Sequence, residues 1–294
     1  MIRWMRFKWL YFLISAVVIV PGLISLFANG LKPSIDFIGG SLLEYRFESE
    51  VSSDQIKLVL ESSDYHINSV QLSGEKNYLL RLPSLDNQEV AQIKDLLSQE
   101  FNQNLTEIRF ETVGPILGKE LLLKTIVAIL LAASFIIGYV TWRFKESKFG
   151  VCAILAMFHD TLVLMGAFSL LGYFFNVEVD TLFVTAILTV LSFSVHDTIV
   201  VYDRIRESQR IYPKTDFEDL ANKAVTETLS RSLNNSLTII FMLIALFLLG
   251  GVTIRWFVAA LLIGTVSGTY SSTFNAVPLL VVWDKFQQKR KNKI

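Results

Sequence analysis

The sequence predicts a membrane protein of six transmembrane helices, with one extracytoplasmic α+β domain of ferredoxin-like βαββαβ order between the first and second spans. Three observations carry this expectation. Six apolar runs are each long enough to cross a bilayer. A block of opposite character, residues 31–118, interrupts them after the first. Basic residues gather on one set of connections and are sparse on the other. Of the 294 residues, 52% are apolar and 18% charged, a balance that favours membrane burial over a soluble domain, and the net charge is zero. The one cysteine, Cys152, excludes an internal disulfide and a cysteine zinc cluster.

Residues 1–30 form the N-terminus and first span. Arg3, Arg6 and Lys8 precede an apolar run from Trp9 to Ala28. A cleavable leader has the same charge order, but its apolar core is shorter, about 7–15 residues. Phe27-Ala28-Asn29-Gly30 is also a poor cleavage site, so the run is expected to be retained.

Residues 31–118 hold fourteen Asp and Glu against seven Lys and Arg, with no long apolar run. Ser41–Phe47 reads as a strand and Ser52–Glu61 as a helix. Ile67–Leu72 and Asn77–Leu82 read as strands joined at Ser73-Gly74. Asp86–Phe101 is amphipathic, with Val90, Ile93, Leu96, Leu97 and Phe101 on one face. Leu105–Val113 closes the block as a strand. The order is that of a split βαβ unit.

Residues 119–284 supply five more spans, over Leu121–Trp142, Gly150–Phe174, Thr181–Tyr202, Ser236–Ile254 and Phe257–Trp283. Lipid satisfies no backbone groups, so each must be helical. Between the fourth and fifth spans, Thr215 and Glu218 fit a capping box. They open an amphipathic helix of about 215–233 that runs on into span five. Basic residues mark the inner side: the N-terminus, Arg143, Lys145 and Lys148, the 204–231 connection, and a tail over 285–294 with Lys285, Lys289, Arg290, Lys291 and Lys293. Both termini are therefore expected in the cytoplasm and residues 31–118 outside.

The stretch Leu191–Glu207, LSFSVHDTIVVYDRIRE, carries the chemistry. Asp197 lies six residues before the exit at Asp203, about 9 Å inside the boundary. A carboxylate at such a site costs roughly 2.5–3.5 kcal/mol or more, so it needs a partner, a wet cavity or a proton. Arg231 precedes span five on the same side and is long enough to pair with Asp197. Such a pair either breaks when Asp197 takes a proton or statically orients two helices. His159-Asp160 lies in the middle of span three, where it extends a polar path or knits helices together. His196 beside Asp197 forms a second His-Asp dipeptide. Neighbours on a helix diverge by about 100°, and no glutamate or cysteine completes a ligand set, so no metal site is expected. Gly264-x-x-x-Gly268 in span six is a close-packing motif. No Walker loop, nucleophile elbow or dinucleotide fingerprint is present, which points to an ion gradient as the energy source.

Together these residues resemble the SecD/SecF protein-export family of the RND superfamily, on its SecF side. Asp36-Phe37-Ile38-Gly39-Gly40 looks like the family's entry to the outer domain. Val113-Gly114-Pro115 with Gly118, Glu120 and Leu121 looks like its exit. His159-Asp160, Asp197-Thr198-Ile199-Val200-Val201 and Asp203-Arg204-Ile205-Arg206-Glu207 match the third and fourth spans. Thr228-Leu229-Ser230-Arg231-Ser232 and Gly268-Thr269-Tyr270-Ser271-Ser272 match the fifth and sixth. The chain departs from the family at Ser192-Phe193-Ser194 and His196, where Gly-Tyr-Ser and Asn are usual; the departure brings in an imidazole that can itself titrate.

The resemblance implies an RND-type membrane half in a bacterial plasma membrane, paired with SecD beside a SecY-type channel. Such a subunit is no enzyme and needs no cofactor. It uses proton motive force, with Na⁺ as the other candidate ion, to draw unfolded preproteins outward. The family's proton-moving aspartate and arginine fall on Asp197 and Arg231, and His159, Asp160 and His196 complete the candidate relay. A small-molecule efflux transporter, a passive scaffold and, more distantly, an intramembrane hydrolase are the competing readings.

Overall fold

A computed structural model describes residues 2–144 and 146–291; Lys145 and Lys293, counted above among the basic residues, lie outside it. A short 3-10 turn at Trp4–Phe7 leads into α1 (Lys8–Asn29). Next come α2 (Ile35–Ile38), β1 (Gly40–Arg46), α3 (Ser53–Ser62), β2 (Ser69–Leu72), β3 (Asn77–Leu82), α4 (Asn87–Phe101) and β4 (Thr106–Val113). The long helices follow: α5 (Pro115–Arg143), α6 (Ser147–Phe175), α7 (Thr181–Ile211), α8 (Phe217–Leu249), α9 (Val252–Ser271) and α10 (Val277–Lys291). A π-helical turn, Ser272–Ala276, joins the last two, so α9 and α10 form one span. Six segments are long and apolar enough to cross a membrane. The chain divides into two compact units, one of residues 1–32 with 128–294 and one of residues 33–127.

The smaller unit holds a four-stranded antiparallel sheet in the order β2-β3-β1-β4. Central β1 sets Leu43 opposite Leu80 and Tyr45 opposite Tyr78 on β3. These side chains pack with Ile56 and Leu60 of α3 and with Ile93 and Leu97 of α4, all fully or almost fully buried. Alternation along the strands and helical spacing along α4 thus point at one core. Burial raises the Tyr45 phenol well above its usual range, and the Glu107 and Asp95 carboxylates add to this. Gly39 and Gly40 enter β1 at φ +78° and +126°, and a Cβ on Gly39 would stand 2.7 Å from Pro115 Cα. Only glycine meets both demands.

In the helical unit, α1 crosses α6 where Gly22 meets Gly166: a Cβ on Gly22 would lie 2.9 Å from Gly166 Cα. One turn further along, Ser25 and Ser169 share a hydroxyl hydrogen bond of 2.8 Å. The Gly264-x-x-x-Gly268 motif plays the part expected of it. It lets α9 approach α7 at Val190 and Ser194, with an added Cβ on Gly264 only 2.1 Å from Val190 Cγ2.

Two local expectations are corrected. The cap of α8 is Asp216, which accepts the Glu218 N–H at 3.1 Å, and Thr215 lies one residue outside. Glu218 does not reach back to close a box; it faces Lys8 and Lys285. Span five also stops at Leu249 rather than continuing to Ile254, because Gly250 and Gly251 leave the helix in extended conformation. The last span accordingly starts earlier than Phe257.

Candidate functional site

Asp160 of α6 has no exposed surface and accepts hydrogen bonds from two neighbouring helices, α7 and α9. Its Oδ2 accepts from Ser194 Oγ of α7 and from Ser271 Oγ of α9, each at 2.5 Å. Its Oδ1 accepts from Ser267 Oγ at 2.6 Å and lies 3.0 Å from His159 Nδ1. Hydroxyl-to-carboxylate contacts of this length are in the strong, charge-assisted range. The glycine approach of α9 to α7 makes the cluster possible, since Gly268 rests against Ser194 and flanks Ser267 and Ser271. The His159 ring stacks near Tyr270 with centroids 6.5 Å apart, and its Nε2 is buried without a protein partner.

Asp197 lies three residues beyond Ser194 on the same face of α7 and is 7% exposed. Its direct partner is Ser232 of α8, whose Oγ donates to Oδ2 at 2.7 Å. The next residue of α7, Thr198, carries a buried hydroxyl with no protein partner. One turn on, the fully buried Tyr202 donates to the Ala276 carbonyl of the π turn at 2.8 Å. Asn275 in that turn accepts from Ser15 Oγ of α1 at 3.0 Å.

The five expected relay residues therefore separate. Asp160 and His159 meet in one cluster, and Asp197 stands on the same α7 face in a second. Arg231 and His196 are exposed, and Arg231 forms no ion pair with Asp197 among the described residues. Adjacent helical residues point about 100° apart, so the face of α8 that brings Ser232 to Asp197 turns Arg231 away. The same rotation separates His196 from Asp197. Ser194, Ser232 and Ser271 stand inside the family motifs without having been given a role in the site, and Ser267 was not singled out at all.

At the α7 exit the charged motif ties neighbouring helices together. Asp203 pairs with Arg143 and lies 3.5 Å from Arg206; Arg204 reaches Glu207 and Glu227, each at 2.6 Å. Arg143 and Arg206 also flank the Phe144 ring.

Comparisons with known proteins agree with this architecture. Residues 92–286 match the family model for the protein export membrane protein SecD/SecF C-terminal region, and residues 24–51 match the SecD/SecF GG motif, which contains Gly39 and Gly40. The chain is 44% identical over 300 residues to the protein translocase subunit SecF of Thermobaculum terrenum, covering 97% of this chain and 94% of that one. It is 35% identical over 264 residues to the protein translocase subunit SecDF of Thermus thermophilus, covering 87% of this chain and 35% of that longer one. The crystal structure of SecDF from Thermus thermophilus, described as a translocon-associated membrane protein, superposes with a TM-score of 0.86 at 32% identity. That match covers 96% of this chain and 38% of the other. Matched by model, sequence and structure, this multi-pass chain belongs to the SecD/SecF family of protein-export membrane proteins, a family of transport subunits rather than enzymes.

Proposed function

We propose that the chain converts proton motive force into preprotein export, as a SecD-paired subunit beside a SecY-type channel in the bacterial plasma membrane. In this reading it is an RND-type half with both termini in the cytoplasm. Residues 31–118 form a ferredoxin-like domain outside, residues 119–284 complete the spans, and the basic tail of 285–294 lies inside. The coupling ion is H⁺ in preference to Na⁺, and no cofactor takes part.

The observation that carries the reading is the state of Asp197. This carboxylate is buried in a spanning helix and, among the described residues, has one direct hydrogen-bond partner, Ser232, with an exposed Arg231 that forms no ion pair beside that partner. A deprotonated Asp197 gains from a guanidinium that turns toward it, and a protonated one does not. Loading and unloading the proton would then shift α8 against α7, and this shift would move the outer domain. His159 and Asp160 extend the polar path through the bundle, and His196 lies on the outer side of the same helix turn.

Inverted membrane vesicles carrying Asp197→Asn or Arg231→Ala test the proposal. Preprotein uptake is measured with the gradient intact and after it is dissipated by an uncoupler. The expected outcome is loss of the gradient-dependent increment, with subunit assembly unchanged. Uptake at full rate by a normally assembled Asp197→Asn variant defeats the proposal.

A further inference from the structure

At the end of the helical unit where α1 begins and α10 finishes, lysines far apart in the sequence converge on one acid. Lys8 Nζ is 3.5 Å from Glu218 Oε2, and Lys285 pairs with the same oxygen. Asp216, which caps α8, also faces Lys285, and Asp284 holds the buried Lys148 at 3.1 Å. Arg3 and Arg6 are exposed and make no ion pair among the described residues. This end thus carries more positive charge than its acids neutralise.

From Lys8, α1 leads directly to an apolar groove of about 380 Å³ between α1 and α9. Ile14 and Val18 of α1, Val163 of α6, and Leu262 and Val266 of α9 form its walls. Three polar neighbours turn their hydroxyls elsewhere: Ser15 to Asn275, Ser267 to Asp160, and Tyr270 to the Tyr11 carbonyl. Ile14 and Val18 lie six and ten residues beyond Lys8, or about 9 and 15 Å along the helix. A single leaflet of the hydrocarbon core is about 15 Å deep. The groove therefore lies at the depth of an acyl chain whose headgroup sits level with Lys8.

We propose that this combination is a seat for one anionic phospholipid, with its phosphate on Lys8 and Lys285 and one acyl chain in the α1–α9 groove. Lys8 and Lys285 balance Glu218 and Asp216, and the exposed Arg3 and Arg6 of the same N-terminal segment add the positive surplus that a phosphate on the lysines takes up. A zwitterionic headgroup brings its own cation and gains less. Inorganic phosphate leaves the groove unfilled. The bound chain would cover the seam beside His159, whose ring borders the groove.

The test uses the full chain purified in mild detergent, with dioleoyl phosphatidylglycerol as probe and native mass spectrometry to count retained lipid. Dioleoyl phosphatidylcholine and inorganic phosphate serve as controls. Phosphatidylglycerol should be retained and both controls lost. Lys8→Gln should weaken retention about fivefold, and Lys8→Gln with Lys285→Gln about thirtyfold, from roughly one charge interaction per lysine. Val18→Phe and Val266→Met fill the groove from opposite walls, so one remains informative if the other misfolds. Either should reduce retention with both lysines in place, whereas Val17→Phe on the exposed face of α1 should not. Equal retention of phosphatidylcholine overturns the proposal. So does binding that falls with the lysines yet survives both groove-filling changes, since the lysines would then act as a plain charged surface.

Discussion

Two buried carboxylates in spanning helices have unequal surroundings. Asp160 collects three serine hydroxyls and an imidazole, whereas Asp197 has Ser232. A hydrogen bond to a charged group contributes about 1.5–3 kcal/mol, and a stranded buried donor costs about 1–3 kcal/mol. Asp160→Ala takes the carboxylate from three hydroxyls at once, leaving Ser271 its weaker bond to the Gly268 carbonyl, and is expected to destabilise the bundle by about 3 kcal/mol or more, against about 1–2 kcal/mol for Asp197→Ala. Chemical unfolding in detergent checks the order, and Asp160→Leu combined with Ser194→Ala, Ser267→Ala and Ser271→Ala should recover much of the loss. Equal cost at the two aspartates would show that the serines do not hold Asp160 in solution. Both acids were legible in the sequence because charge inside an apolar run is rare. The serines were not: hydroxyls are common in spans, where they often bond their own helix, so Ser267-x-x-x-Ser271 did not stand out beside Gly264-x-x-x-Gly268. Arg231 and Ser232 are one residue apart, and only the rotation of α8 decides which of them meets Asp197.

The helices hold their side chains in register through a few close approaches. At Gly264 an added Cβ would fall 2.1 Å from the stiff, β-branched Val190, so Gly264→Ala must push α9 off α7. Overpacking of this kind costs about 1–3 kcal/mol. The same displacement would pull Ser267 and Ser271 from Asp160. Val190→Ala should restore Gly264→Ala toward wild-type thermal stability, and a pair whose losses simply add would place the contact elsewhere. Among the elements, β3 and the amphipathic α4 followed directly from alternation and helical spacing. The merger of the connecting helix with span five was also readable, since its apolar face leads into the span. The stop at Leu249 was not, because the run from Ser236 to Ile254 is uncharged and hydropathy gives the Gly250-Gly251 break little weight. The cap at Asp216 was one residue from the reading because Thr215 and Asp216 both suit that position; the tertiary pull of Lys8 and Lys285 on Glu218 leaves no capping box.

Across the whole molecule, one polar surface has no reason to face lipid. His196 and Ser192 of α7 and Arg231, Asn234 and Asn235 of α8 are exposed within or beside the spanning segments. An arginine held against hydrocarbon costs roughly 2.5–3.5 kcal/mol or more, and the polar neighbours add to it. In the longer SecDF relative, a region like this chain occupies 38% of a single polypeptide, so further protein is covalently joined to it there. The α7–α8 polar face is therefore expected to be hidden under the spanning helices of the SecD-type partner proposed above. Cys152 is 1% exposed, so thiols introduced at the surface can be read over a quiet background. Asn235→Cys probes the polar face, and Leu248→Cys, an exposed apolar position of the same helix, serves as the control. Maleimide labelling in mild detergent should modify both positions in the chain purified alone. Co-expression with the partner should protect Asn235→Cys and leave Leu248→Cys reactive. Charge and packing then make separate demands on the partner. A partner acid facing Arg231 should be required for protection, and Arg231→Leu should relax that requirement while weakening the coupling of export to the gradient. Labelling of Asn235→Cys that the partner leaves unchanged would place the interface on another face and would leave Arg231 to be neutralised by turning inward to Asp197.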